Sequence, residues 1–101
     1  DNGCLTAINI YKNMPQKRRE SEAGQEIREY LTAMSESILL WDLETQPPKQ
    51  LGDFLQLDCT PPEILEKVFS AKYDDMSIDE KSYMLDAMRR AEKRETNEFS
   101  L

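Results

Sequence analysis

The stretch SEAGQEIREYLTAMSESILLWDLE, residues 21–44, decides the fold. Within it Ile27, Leu31, Met34, Ile38 and Trp41 step by four and three residues, which sets large apolar groups along one face of a helix. No proline interrupts the stretch, and Gly24 is its only poor helix former. At 1.5 Å per residue a single helix over 21–45 would extend roughly 35 Å, about the diameter of a small domain. Its second half turns apolar all round, with Ile38, Leu39, Leu40, Trp41 and Leu43 pointing in nearly every direction, so it must be enclosed on several sides. Gln46, Pro47 and Pro48 end it, because proline cannot donate to the helical ladder and pushes the residue before it out of the helical basin.

Outward from this spine the remaining pattern is also helical. Upstream, Cys4, Leu5, Ile8 and Tyr11 share a face of a short helix over 4–14, stopped by Pro15, and Gln16 to Glu22 reads as an exposed polar connector. Downstream, Leu51, Phe54, Leu55 and Leu57 indicate a short helix over 49–57 with Gly52 as its weak point. Thr60, Pro61, Pro62 and Glu63 read as a capping box with proline at the first helical position, opening a helix over 61–73 that buries Ile64, Leu65, Val68, Phe69 and Tyr73. Ser77, Ile78, Asp79 and Glu80 repeat the box and open a last helix over 78–95, with Tyr83, Met84, Leu85, Met88 and Ala91 inward. Replacing Thr60 or Ser77 by Ala is expected to cost about 1 kcal/mol each. No strand-like alternation competes, so the expected class is all-α, a bundle of about five helices with residues 96–101 as a frayed tail.

Length and composition confine the function. A chain of 101 residues, 39% hydrophobic and 33% charged, fits one folded domain. The net charge of −7 repels nucleic-acid backbones and anionic membranes, and no apolar run is long enough to span a bilayer. The absence of an initiator Met or a signal sequence leads to the expectation of a piece of a larger or processed protein. Two cysteines, Cys4 and Cys59, are few for a disulfide-stapled secreted fold, so free thiols and an intracellular address (cytoplasmic or nuclear) are expected.

Chemistry is thinly represented. There is no histidine, which removes the commonest general base and metal ligand. Cys59 stands beside Asp58, which would raise its pKa, and reads as a buried apolar thiol. The acidic group Asp74, Asp75, Asp79 and Glu80 lacks calcium-loop spacing, since Met76 and Ile78 occupy ligand positions. No glycine-rich phosphate loop exists. Neither an enzyme nor a cofactor or metal site is therefore expected.

What remains is contact area. Lys17, Arg18 and Arg19 read either as a nuclear import signal or phosphate contact, or as a solvated connector. Arg89, Arg90, Lys93 and Arg94 would be the grip of a nucleic-acid-associated helical domain, one alternative, although Asp79 and Glu80 sit where phosphates would lie. The 27–41 stripe is either the spine of the bundle, covered by the first and last helices and the two short ones, or a seam with a second copy, which makes a homodimerisation domain the other alternative. Met34, Met76, Met84 and Met88 either fill core gaps or line an adaptable groove. The preferred expectation is an adaptor or regulatory domain that takes a partner's amphipathic helix or peptide, with basic flanks, into an apolar groove with an acidic rim. The residues expected at that surface are Tyr30, Met34, Trp41, Tyr83, Met84 and Met88.

Overall fold

The computed structural model describes residues 2–45 and 50–99, with side chains described for residues 3–45 and 50–94. Among these the chain forms α1 (Asn2–Lys12), α2 (Gln16–Arg19), α3 (Glu22–Ala33), α4 (Ser35–Glu44), α5 (Leu51–Gln56), α6 (Pro62–Lys72), a 3-10 turn (Tyr73–Asp75) and α7 (Ile78–Phe99). The class is all-α, as the periodicity implies, and the expected helical regions are each present. The breakpoint at Gln46, Pro47 and Pro48, and Lys49 at the start of the next expected helix, lie outside the described residues. The last helix continues to Phe99, and residues 100 and 101 lie outside the described set.

Two differences from the expected layout have identifiable causes. The expected single helix over 21–45 is broken into α3 and α4 at Met34, whose φ of −95° and ψ of 2° leave the helical basin. Ser35, fully buried, donates its hydroxyl to the Leu31 carbonyl at 2.9 Å and also lies 3.4 Å from the Cys59 carbonyl. Such a back-bonded serine competes with the helical ladder and bends it, and here the bend is held by a partner 24 residues away. The second difference is the connector, where residues 16–19 form a turn of helix. Pro15, with φ of −61°, presets that turn and its carbonyl accepts from the Arg18 and Arg19 amides at 2.9 and 3.0 Å.

Gly24 allows this turn to sit where it does. A Cβ there would meet the Arg18 carbonyl oxygen and lie 2.5 Å from the Arg19 carbonyl oxygen and 2.6 Å from Arg19 Cα, so α2 and α3 approach through the one residue without a side chain. Arg19 completes the junction. Its guanidinium donates to the Tyr11 and Lys12 carbonyls at the end of α1 (3.2 and 3.1 Å) and stacks 4.7 Å from the Tyr11 ring centroid.

The two capping boxes fare differently. At Ser77 the box closes in both directions: the Ser77 amide donates to Glu80 Oε1 at 2.7 Å and the Glu80 amide to Ser77 Oγ at 3.2 Å. Thr60 does not cap. The helix starts one residue later than expected, with Pro61 at the cap and its carbonyl accepting from the Ile64 and Leu65 amides, both at 3.1 Å. With two prolines in succession the first takes the extended cap conformation, which leaves Thr60 outside the helix with a buried hydroxyl that finds no partner among the described residues.

The molecule is flat, 39 × 38 × 19 Å, and its thin dimension is that of two helices laid one on the other, each roughly 10 Å across. α1 and α2 pack on α3, α4 packs on α6 and α5, and α7 packs on α5 and α6. The stripe is thus a spine for its inner members: Leu31 and Ile38 are buried, and Ile27 and Met34 pack partly against the core. Its cover differs from the expected one, since α3 is covered by α1 and α2 while α7 packs chiefly on α5 and α6. Ile8, Leu39, Phe54, Leu65, Val68 and Met84 fill the centre. Truncating Phe54 to Ala would cost on the order of 3–5 kcal/mol. Tyr83 and Leu85, expected inward, are half exposed, because Glu80, Met84, Ala87 and Ala91 take the buried face at spacings of four, three and four. Tyr73, also expected inward, is 48% exposed and holds a surface cluster with Phe69 edge-on at 5.3 Å and Lys81 over its ring at 4.1 Å.

Candidate functional site

The expected surface residues separate into two groups. Met34 and Trp41 line one hollow across the kink at Met34, and Tyr30 contacts Cys4 of the same lining. Met84, by contrast, is fully buried in the core and cannot meet a partner; it is corrected from surface to core. Met88 is half-buried against that core, and Tyr83 lies over Gly52, with ring atoms 3.7 Å from where a Cβ would stand. The cause of the separation is that α7 packs on α5 and α6, away from the exposed edge of α4.

Beside the first group is an apolar hollow of about 220 Å³. Leu5 and Ile8 of α1, with Met34, Ile38 and Trp41, form its greasy wall, and almost all of its lining is carbon or sulfur. Trp41 is 41% exposed, a large apolar ring left in water at the edge of a concave surface. The polar members are Ser37, Asp42 and Gln50. Asp42 is buried, and its Oδ1 accepts the Gln50 amide at 3.0 Å, which ties the approach to α5 back onto α4 and gives the hollow one polar end. Cys4 also lines it, with Sγ 3.5 Å from the Tyr30 hydroxyl; this hydrogen bond is the main reason the Tyr30 phenol titrates above its ordinary range. None of these lining residues comes from α7. The α7 hollow around Tyr83, Leu85 and Arg89 is broad and open by comparison.

The basic groups are largely engaged by the chain itself. Arg90 donates to Asp58 Oδ1 (3.1 Å), to the Leu55 carbonyl (2.9 Å) and to Asp86, while Arg94 lies 3.0 Å from Asp58 Oδ1 and Arg89 lies 2.6 Å from Asp86. The hydrogen bond from Arg89, followed by the charge of Arg90, holds the Asp86 carboxyl below the usual range. In the 17–19 run, Arg19 is docked on α1 while Lys17 and Arg18 are exposed.

A polar cluster that sequence reasoning missed sits at the turn between α5 and α6. Asp58 has φ of 53°, the left-handed position just past a helix end. Arg28 reaches across from α3 and donates to the Asp58 carbonyl at 2.9 Å and to the Leu57 carbonyl at 3.4 Å. The signal available was Asp after the last apolar residue of a helix, since Asp tolerates this conformation better than most residues. Cys59, next along, is buried, and burial pushes its thiol up despite Arg28 Nη1 at 3.7 Å from the sulfur. Neither Cys4 nor Cys59 is bridged. Among the described residues no three His, Cys, Asp or Glu side chains converge as a metal site, and no helix is long and apolar enough to cross a membrane.

No protein-family model, curated protein or solved structure matches the chain.

Proposed function

We propose that this chain is a non-enzymatic protein-interaction module that takes a partner's amphipathic helix or peptide against the α1–α4 hollow. The observation that carries this reading is Trp41, a half-exposed indole standing beside a concave apolar wall. Trp is enriched among the residues that dominate binding energy, because it offers a large rigid area at low entropic cost. Tyr30 and Met34 extend the same face, and methionine repacks readily around different partners. The net charge of −7 favours cationic flanks on the partner through faster encounter and selection. The mechanism is docking without a covalent step. The reducing interior of a cell suits the two buried, unbridged thiols, and an adaptor or regulatory part of a larger intracellular protein is the setting proposed.

Calorimetric titration with a lysine-flanked amphipathic helical peptide tests the reading. Trp41→Asp, a change at an exposed position, is expected to leave circular dichroism unaltered and to weaken binding about tenfold or more. Equal binding by the folded variant contradicts it.

A further inference from the structure

The size and lining of the α1–α4 hollow say more about its occupant than that it is apolar. An engineered apolar cavity of roughly 150 Å³ stays dry and takes up benzene. At about 220 Å³ this hollow has room for a ring and a few further carbons, the size of an indole or an alkylbenzene. Two of its walls favour an aromatic ring over an alkyl chain: the Trp41 indole, against which a second ring packs offset or edge-on, and the Met34 thioether, which makes favourable contacts with ring edges. The polar end at Ser37 and Gln50 offers an acceptor for an indole N–H. A charged ring of either sign would lose hydration against the carbon wall.

We infer that the hollow is a socket for one neutral aromatic ring. For the source of that ring the inference rests on the reading above, in which the partner's helix carries it as a single anchoring side chain. The lysine flanks then stay in water, where the acidic surface meets them, and the ring alone is desolvated.

The test follows methyl resonances of Ile8, Ile38 and Met34 in the ¹³C-methyl-labelled chain during titration with indole, ethylbenzene and benzoate. Indole and ethylbenzene are expected to give saturable shifts at these methyls with Kd on the order of 1 mM, and benzoate none. Leu5→Trp, which puts a ring into the hollow from its own wall, is expected to abolish indole binding while circular dichroism is retained. The partner arm compares two lysine-flanked helical peptides, one with a single Trp on its apolar face and one with Ala there, and expects the Ala peptide to bind about tenfold more weakly. Absence of saturable shifts with indole, or shifts centred on Leu85 instead, overturns the socket; indole binding with equal binding of the two peptides supports the socket and contradicts a ring on the partner helix as its occupant. Indole binding without binding of either peptide supports the socket and contradicts the partner helix as its source.

Discussion

Arg90 Nε lies 3.1 Å from Asp58 Oδ1, a bond that spans 32 residues and ties the middle of α7 to the turn between α5 and α6. The same turn is held from the other side, where Arg28 donates to the Asp58 carbonyl. Asp58 therefore has two structural duties, a left-handed backbone and a shared carboxylate. Asp58→Ala is expected to cost about 1–2 kcal/mol, roughly 1 for ion pairs that remain one-third exposed and the rest because alanine keeps the β-carbon in the left-handed region without the short polar group that lets aspartate tolerate it. Asp58→Gly loses the same pairs but also removes the β-carbon from the left-handed region, and should be the milder change. Urea unfolding of the two variants checks this order.

Two of the helical glycines, Gly24 and Gly52, should respond in opposite directions to alanine. Gly24→Ala gains about 1 kcal/mol in helix propensity but drives a methyl into the backbone of Arg18 and Arg19, and the net result is expected to be destabilisation of about 2 kcal/mol or more. At Gly52 the nearest atoms are on the Tyr83 ring at 3.7 Å, an ordinary contact, so Gly52→Ala is expected to stabilise by about 0.5–1 kcal/mol. Thermal melts of the pair compare them directly.

Ser77 and Thr60 form a second contrast. Ser77→Ala removes a cap and should cost about 1 kcal/mol. Thr60→Val exchanges a buried, unpartnered hydroxyl for a methyl of the same shape and is expected to stabilise by about 1 kcal/mol. A loss on Thr60→Val would mean that the hydroxyl has a partner in solution.

These contrasts also mark what was legible in the sequence. The Ser77 box could be read because both partners lie within four residues. The kink at Met34 could not, since the Ser35 hydroxyl there donates to the carbonyl of Cys59, 24 residues away. At Thr60 the signal was real but displaced by one residue, because consecutive prolines left two possible starts. Met84 was misplaced for a different reason. A methionine on an amphipathic helix looks alike in a groove and in a core, and only the docking of α7 on α5 and α6 distinguishes them. The arginine contacts at Asp58 depend on chain crossings of about thirty residues, beyond the reach of local pattern.

Acid should weaken the fold in part through Asp86. Its folded-state pKa is depressed by Arg89 and Arg90, so its contribution is fully present above the unfolded value of about 3.9 and is lost as pH falls through that value toward the folded one. The urea midpoint is expected to fall between about pH 5 and pH 3, and to fall less in Asp86→Asn.

Cys59 shows the opposite sign. Burial raises its pKa, so the folded state favours the neutral thiol, and this contribution is present below the unfolded value of about 8.5 and declines as pH rises above it. Alkylation of Cys59 at about pH 8 is expected to be many times slower in the folded chain than in urea, with mass spectrometry of the labelled peptide as the readout.

In the proposed function the edge of α4 at Trp41, rather than α7, is the face offered to a partner. Because the chain has one tryptophan, its indole N–H resonance needs no assignment and reports on that edge directly. Titration of the ¹⁵N-labelled chain with a lysine-flanked amphipathic helical peptide is predicted to shift the Trp41 indole N–H and the Tyr30 and Met34 amides saturably, leaving Leu85 and Arg89 in place. Saturable shifts at Leu85 and Arg89 with an unmoved Trp41 would contradict the account.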